Sequence, residues 1–234
     1  MSKVSYRSLN DDPLTFMWRV PTKLFSIWAK TFYPFASIGR NVSFHFTSKM
    51  DRSRTPRISL GNSVSLREYA WLSVATEDPK GEPTIVIDDN CHIGFGSIIS
   101  ARNRIHLERD VLVGQMVLMV DHNHAYEDIN IPVIDQGITE GGTIRIGQGT
   151  WVGHGACIIC PRGELSIGRN CVIAANSMVM RSIPDYSVVA GYPATVIRQY
   201  DTEKKVWRPG GRLGKPVRDA EGRSNLSVVA KASV

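Results

Sequence analysis

The chain has 234 residues, of which 42% are hydrophobic and 21% charged, a composition that excludes a disordered protein. Its formal net charge is +6, yet residues 58–198 carry ten basic against fifteen acidic side chains, so the excess of positive charge lies at the two ends. An acidic centre argues against nucleic-acid binding, whereas basic ends suit phosphates or an anionic lipid surface. The sequence contains neither a signal segment nor an apolar run of roughly 18 residues, so we expect a cytoplasmic protein.

The first predicted element is an amphipathic helix within residues 13–33. Pro13 follows two aspartates, which is typical of a helix start. The helix can cap the domain that follows it or rest on a membrane surface, and the cap is the simpler alternative. Ile38, Gly39 and Phe44 then indicate an incomplete coil of the repeat described next. Apolar residues recur at helical spacing after Pro21, at Leu24, Phe25, Ile27, Trp28 and Phe32.

Residues 58–198 contain a six-residue repeat. Aliphatic residues recur at this step in five triplets, and a small residue often stands two places before them. Because six is a multiple of two, every repeated residue faces the same side of a β-strand, whereas a helix would rotate them apart. The triplets are Leu60, Leu66, Leu72; Ile87, Ile93, Ile99; Leu107, Val113, Met119; Ile146, Val152, Ile158; and Ile167, Ile173, Val179.

Three short strands and their turns therefore make one triangular coil of eighteen residues. Stacked coils pair in parallel at about 4.8 Å, so the sequence predicts an all-β fold, a parallel β-helix. Glycine directly follows many of the repeated residues, as at Gly94, Gly114 and Gly153. We expect these glycines to supply turns with positive φ.

The repeat is interrupted at defined points. Steps of eight residues from Ile99 to Leu107 and nine from Ile158 to Ile167 predict small bulges. The step of twenty-seven residues after Met119 predicts a loop over residues 121–143 that leaves the coil. This loop begins with MVDHNHAYED, whose histidines and carboxylates suit a metal cluster, a catalytic base with its supports, or a solvated tip.

Four cysteines are too few for a disulfide framework in a chain of this length. Cys157 and Cys160 have the spacing of a redox or half-zinc motif, but no second such pair accompanies them. Buried structural thiols are the favoured interpretation.

The repeats, with WVGHGA at 151–156, IAANSMVMRSIP at 173–184 and VVAGYPATVIR at 188–198, resemble the hexapeptide-repeat acyltransferases. The match is to the maltose/galactoside and xenobiotic acetyltransferase branch, which includes O-acetyltransferases of bacterial surface glycans. The resemblance implies a left-handed parallel β-helix with an extruded loop. It also implies a homotrimer with active sites between subunits, and acetyl-CoA as acyl donor with no metal.

The same resemblance implies a catalytic histidine in the loop. In that branch the histidine stands eight residues before a proline, a register that fits His124 and Pro132 but not His122. His124 is therefore the expected general base, able at neutral pH to take a proton from a sugar hydroxyl. Asp121, His122 and Glu127 are expected to support it.

Acetyl-CoA-binding residues also follow from the resemblance. The backbone N–H of His154 would stabilise the oxyanion, where the family usually has a small residue. Trp151 would lie beside the CoA arm, although it also suits a plain coil-corner aromatic. Ala175 would meet the pantetheine chain, and Arg181 and Arg198 the CoA phosphates.

Two departures from the family pattern concern the same donor site. Thr195 stands where the family has a further basic residue. The run CPRGEL at 160–165 is two residues longer than its family counterpart, which predicts an enlarged corner beside the CoA channel.

The sequence thus divides into three parts: a helical cap with an incomplete coil at 1–57, the acyltransferase domain at 58–198, and a basic C-terminal tail at 199–234. In the tail we expect a short docked segment around Trp207 and then a mobile end.

The predicted function is acetyl-CoA-dependent O-acetylation of a sugar, in bacterial surface polysaccharide or lipopolysaccharide synthesis. N-acetylation of an amino sugar is an alternative, as is a zinc hydratase resembling carbonic anhydrase, for which His92, His106, His122 and His124 are candidate ligands. A non-catalytic glycan-binding trimer is a third. Loop 121–143 and the insertion at 73–84 would line the acceptor pocket, but they do not identify the sugar.

Overall fold

Three parallel sheets form the sides of a triangular prism around one hydrophobic core. The computed structural model describes residues 13–76 and 81–210. Each successive strand belongs to the next sheet, so three strands complete one coil and the following coil stacks on it in parallel. The expected left-handed parallel β-helix is confirmed.

Six complete coils build the prism, each contributing one strand to the first, second and third sheet in turn. The first three coils are β1 (Ser37–Ile38), β2 (Ser43–Phe44), β3 (Lys49–Met50); β4 (Ile58–Leu60), β5 (Ser65–Leu66), β6 (Trp71–Val74); and β7 (Ile85–Ile87), β8 (His92–Ile93), β9 (Ile98–Ala101). The last three are β10 (Arg104–Leu107), β11 (Leu112–Val113), β12 (Leu118–Val120); β13 (Gly141–Ile146), β14 (Trp151–Val152), β15 (Cys157–Ile159); and β16 (Arg162–Ile167), β17 (Val172–Ile173), β18 (Met178–Val179).

The predicted inward residues form the core. All fifteen are at most 2% exposed. Small side chains two places earlier, such as Ala70, Ser97 and Thr150, are also buried, because the narrow interior has no room for larger ones. The coil predicted as incomplete before Leu60 has all three strands, since β3 adds Met50 to Ile38 and Phe44.

The glycines after the inward residues have a different role from the one we predicted. Gly94, Gly114 and Gly153 do not have positive φ. Instead, a Cβ on Gly114 would lie 2.8 Å from the Val152 carbonyl oxygen and 2.9 Å from the His154 nitrogen. These glycines are therefore required by the close approach of neighbouring coils.

Positive φ occurs further along each corner, often at residues other than glycine, among them Asn90, Asp110 and Asn176. Asparagine and aspartate tolerate this conformation better than most side chains.

The shorter interruptions of the repeat lengthen strands. The nine-residue step gives the six-residue strand β16, which pairs along its whole length with β13, from Gly141–Arg162 to Ile146–Ile167. The eight-residue step gives the four-residue strands β9 and β10. The extra residues are thus largely absorbed into ladder hydrogen bonds, and the enlarged corner predicted at residues 160–165 is instead the start of a longer strand.

Helix α1 (Pro13–Phe32) caps the first coil, as predicted. The hydroxyl of Ser26 accepts a hydrogen bond from the Phe44 N–H at 2.9 Å and lies 3.0 Å from the Phe44 carbonyl oxygen. Its single hydrogen has a shorter contact with the Thr22 carbonyl, at 2.7 Å. Ser26 therefore satisfies the N–H of Phe44 on β2, the first strand of its sheet among the described residues. Ala29 is fully buried, and Phe25 packs against the core.

The second sheet continues beyond the sixth coil. Strand β19 (Ser187–Gly191) pairs with β17, and β20 (Ala194–Asp201) and β21 (Val206–Pro209) follow as antiparallel strands. The segment predicted to dock around Trp207 is β21, where Trp207 packs against Tyr200 with ring centroids 5.4 Å apart. The mobile end predicted for the tail lies outside the described residues from 211 onward. Over residues 13–76 and 81–210, no helix has the length and apolar character required to span a bilayer.

Candidate active site

The predicted loop leaves the prism at the corner between the third and first sheets. It runs from Asp121, directly after β12, to residue 140, directly before β13. A hydrogen bond from the Gly142 N–H to the Asp121 carbonyl, 2.6 Å long, closes its neck. Above the neck, the Thr139 N–H donates to the Asn123 carbonyl at 2.8 Å, so both arms of the loop are tied together.

Asp121 anchors the start of this loop. Its side chain is 0% exposed, and its carboxylate accepts three backbone N–H groups from the connection between β9 and β10. The donors are Arg102 at 2.7 Å, Asn103 at 2.9 Å and Arg104 at 3.0 Å. A buried carboxylate with several hydrogen bonds is held in one orientation, so Asp121 is a fixed point of the site.

His122 is oriented by that carboxylate. Its Nδ1 atom lies 2.9 Å from Asp121 Oδ1, and only 12% of its side chain is exposed. Because an ionised carboxylate can only accept, Nδ1 carries the hydrogen in this contact. The neutral ring then has its lone pair on Nε2, which is the arrangement that a general base requires.

His124 has different surroundings. Its backbone forms an antiparallel bridge with Ile138, and the residue is exposed. Among the described residues, no hydrogen bond or ion pair reaches its ring. The structure therefore places His124 on the outer part of the loop, where none of the described residues orients its ring.

Glu127 connects the loop to the coil above it. Its Oε1 lies 3.5 Å from Arg162 Nη2 in β16, and both side chains are mainly exposed. The Tyr126 N–H, 3.0 Å from Glu127 Oε2, is the main cause that lowers the pKa of this carboxyl, and Arg162 lowers it further. Glu127 is thus a charged side contact of the loop, separate from the pair of Asp121 and His122.

The predicted oxyanion donor lies at another corner of the prism, where β14 leads into β15. His154 and Ala175 occupy equivalent corner positions in successive coils, because Val152 pairs with Ile173. Within the described chain, neither of their backbone N–H groups has a hydrogen-bond partner. The N–H groups of Phe95 and Gln115 share this property, so free donors recur along the corner and the two predicted ones are available.

The remaining predicted CoA-binding residues are dispersed. Trp151 is half exposed on β14. Arg181 follows β18, at the same corner of the prism as the loop but two coils further along the stack. Arg198 is exposed on β20. One side of the triangle, six residues at about 3.3 Å each, separates neighbouring corners by about 20 Å. The loop and His154 therefore belong to different corners of a single chain.

The donors that hold Asp121 were not predicted from the sequence. They are the backbone N–H groups of Arg102, Asn103 and Arg104, which no residue type reveals. The only signal in the sequence was the eight-residue step between Ile99 and Leu107, which marks where the extra backbone is inserted.

The cysteines behave as structural thiols. All four are free, and Cys91, Cys160 and Cys171 are buried. Burial raises the pKa of Cys91 to about 12, which keeps its thiol protonated and unreactive. Cys160 and Cys171 also have raised pKa values for the same reason.

The histidines considered as zinc ligands lie apart. His92 Nδ1 is 2.7 Å from Ser65 Oγ, and His106 Nε2 is 3.0 Å from Asp88 Oδ2, each on its own strand. Within the part of the chain that the structure describes, no three His, Cys, Asp or Glu side chains converge on a point that a metal ion could occupy.

Solved structures of acyltransferases have this architecture. AntD, an N-acyltransferase from Bacillus cereus in complex with dTDP and 3-hydroxybutyryl-CoA, superimposes with a TM-score of 0.59 and 18% identity. The match covers 78% of this chain and 89% of AntD. At this identity the likeness is one of fold alone, that of a left-handed β-helix.

Two relatives of similar sequence show the family to which the chain belongs. The chain is 33% identical to WbbJ of Escherichia coli, whose name describes a lipopolysaccharide biosynthesis O-acetyl transferase, over 56% of this chain and 68% of WbbJ. It is 30% identical to the acetyltransferase YJL218W of Saccharomyces cerevisiae, over 63% of this chain and 84% of that protein. The chain belongs to the hexapeptide-repeat acetyltransferase family of these relatives.

A third relative is longer. The acetyltransferase Rv3034c of Mycobacterium tuberculosis is 28% identical over 69% of this chain, but the match spans only 49% of its own length. No family profile matches the sequence.

Proposed function

We propose that this protein transfers an acetyl group from acetyl-CoA to a sugar hydroxyl, in the synthesis of a bacterial surface polysaccharide or lipopolysaccharide. The observation that carries the proposal is an extruded-loop imidazole, His122, held at 2.9 Å by the buried carboxylate of Asp121 in a chain of this acetyltransferase family. The name of WbbJ supports the O-acetyl chemistry and the lipopolysaccharide context.

In the proposed reaction, His122 Nε2 takes the proton of the acceptor hydroxyl as its oxygen attacks the thioester carbonyl carbon. Asp121 holds the ring and stabilises the imidazolium that forms. When the carbon–sulfur bond breaks, the same imidazolium returns its proton to the leaving thiolate. The acetyl ester and free CoA thiol are the products, and His122 regains its starting form.

His124 is the competing base. The spacing to Pro132 favours it, whereas the contacts among the described residues favour His122, because there only His122 has a partner that fixes its orientation. A group from a neighbouring subunit would be needed to orient His124 in the same way. The two assignments predict different losses of kcat when each imidazole is removed.

The donor site would lie along the corner that carries His154 and Ala175. The free N–H of His154 suits the developing oxyanion, and that of Ala175 suits a carbonyl of the pantetheine arm. Arg181 and Arg198 are exposed cations suited to the CoA phosphates. The small side chain of Ala175 leaves the backbone accessible, so the residues present fit an acyl-CoA.

We further propose that the loop of one subunit completes the donor corner of another, in a homotrimer. The support is geometric, because the loop and the His154 corner of one chain are separated by a side of the prism. A closed ring of three copies can bring the loop corner of each subunit beside the donor corner of the next.

The first test is CoA thiol release from acetyl-CoA with a panel of sugars and amino sugars, for wild type, His122→Ala and His124→Ala. We expect His122→Ala to lower kcat by about 10²- to 10⁴-fold, and His124→Ala to have a much smaller effect. The opposite order would assign the base to His124. If neither variant loses activity, the loop imidazoles are not the base, and turnover confined to amino sugars would indicate N-acetylation.

The second test addresses the shared site. His122→Ala and Ala175→Glu, each expected to inactivate the enzyme, are co-expressed with different tags and purified through both. Mixed oligomers should regain activity if the base and the donor corner come from different subunits. Inactive mixed oligomers, or a monomer by light scattering, would contradict the shared site.

A further inference from the structure

The outer face of helix α1 exposes a continuous apolar surface. Ser26 and Ala29 face the first coil, at 6% and 0% exposure. On the other side, Leu24 and Ile27 are 62% and 55% exposed. The outward apolar side chains that we call the α1 outer face are Val20, Leu24, Ile27, Trp28 and Phe32.

This surface is larger than an isolated exposed residue. Leu24 stands four residues after Val20, and Ile27 and Trp28 stand three and four residues after Leu24, so the four side chains form one stripe along the helix. Trp28 also packs against Phe32, with ring centroids 5.9 Å apart, which keeps the aromatic part of the stripe ordered. An apolar stripe of this kind on a soluble domain marks an interaction surface.

The charge around the stripe has one sign. Residues 13–50 contain five basic side chains, Arg19, Lys23, Lys30, Arg40 and Lys49, and no aspartate or glutamate. Lys23 is exposed next to Leu24, and Lys30 lies about two turns further along the helix. The helix therefore combines exposed Trp, Phe, Leu and Ile with lysines and lacks any acidic group to repel an anionic surface.

We propose that the α1 outer face binds an anionic lipid surface, with its apolar side chains at the boundary between headgroups and acyl chains. Lys23 and Lys30 would meet the lipid phosphates. Aromatic and aliphatic side chains combined with lysines are the composition that places a helix in the plane of a membrane interface. Face-to-face pairing of two copies is disfavoured, since it would bring Lys23 and Lys30 of both copies together.

Vesicle sedimentation of the full chain tests this binding. Vesicles of phosphatidylcholine alone are compared with vesicles that also contain phosphatidylglycerol, at low and high salt. We expect the wild type to pellet with the anionic vesicles and to be released as salt rises. Wild type that remains in the supernatant with anionic vesicles at low salt would overturn the proposal.

A matched pair of variants locates the binding surface. Ile27→Asp changes the α1 outer face, and Ile129→Asp makes the same substitution at the loop, where Ile129 is 93% exposed. We expect Ile27→Asp to lower the vesicle partition coefficient by about tenfold or more, and Ile129→Asp to leave it unchanged. Equal pelleting of both variants would overturn the assignment to α1.

Two controls keep the result interpretable. Leu24→Asp repeats the test on the same face, and thermal melting of each variant shows whether the fold is intact. Light scattering in the absence of lipid measures the oligomeric state. If Ile27→Asp or Leu24→Asp reduces the oligomer size, another copy of the chain covers the face and the lipid proposal fails.

Discussion

The His122 ring and the Asp121 carboxylate are 2.9 Å apart at the point where the chain leaves the prism. The same carboxylate holds the backbone of Arg102, Asn103 and Arg104, so one buried group fixes both the neck of the loop and the ring. Orientation of the imidazole is therefore coupled to the stacking of the coils.

Asp121→Asn should lower kcat by about a hundredfold or more, with little change in the KM for acetyl-CoA. An amide can donate to Nδ1 and so favour the wrong tautomer, an effect that costs a serine protease about 10⁴ in kcat. The matched control is Asp88→Asn, which changes a second His–Asp pair, at 3.0 Å from His106 and away from the loop. Equal kinetics for the two variants would separate Asp121 from catalysis.

Glu127→Gln should leave the melting temperature and kcat nearly unchanged at neutral pH. Its contact with Arg162 joins two exposed side chains, and such pairs contribute little. Because the folded-state pKa of Glu127 is lowered, the carboxylate stays charged at neutral pH, and the contact is lost only as the pH falls through that lowered value. A large loss of kcat would instead place Glu127 in the catalytic machinery.

Gly114→Ala should lower the free energy of unfolding by about 1 to 3 kcal/mol. The added methyl would lie 2.8 Å from the Val152 carbonyl oxygen and 2.9 Å from the His154 nitrogen, and both belong to backbone that cannot easily move. Since His154 carries the proposed oxyanion donor, affinity for CoA measured by calorimetry should fall as well. Gln115→Ala, at the exposed neighbouring position, should change neither quantity.

Ser26→Ala should lower the free energy of unfolding by about 1 to 3 kcal/mol, because the N–H of Phe44 loses its buried partner. Thr31→Ala removes a hydroxyl from the same helix, where it bonds only to the Ile27 carbonyl at an exposed site. That control should stay within about 0.5 kcal/mol of wild type in denaturant unfolding. Similar losses for both variants would refute the capping role of Ser26.

The hexad pattern was sufficient to predict the prism. Burial in a parallel coil repeats every second residue, so Leu60, Ile99 and Val179 could be placed inside from spacing alone. The same pattern extends to Ile38, Phe44 and Met50, and continuing the six-residue step by one more place would have given the complete first coil.

The details of the site were harder to predict, because they depend on backbone groups and on distant parts of the chain. The Asp121 carboxylate accepts backbone N–H groups of residues 102–104. The side chains of those residues give no indication of this contact. The positive-φ role assigned to Gly114 was wrong, since only the three-dimensional stack reveals how closely the next coil approaches. Whether an imidazole is oriented, as that of His122 is, depends on such contacts, which the spacing of His124 to Pro132 does not describe.

The bond between the Gly142 N–H and the Asp121 carbonyl lets the chain depart and return at adjacent points of the stack. A segment anchored in this way can change length at small entropic cost, because closure entropy grows only with the logarithm of loop length. Evolution could therefore replace this loop by another and redirect the enzyme toward a new acceptor, while the β-helix stayed the same.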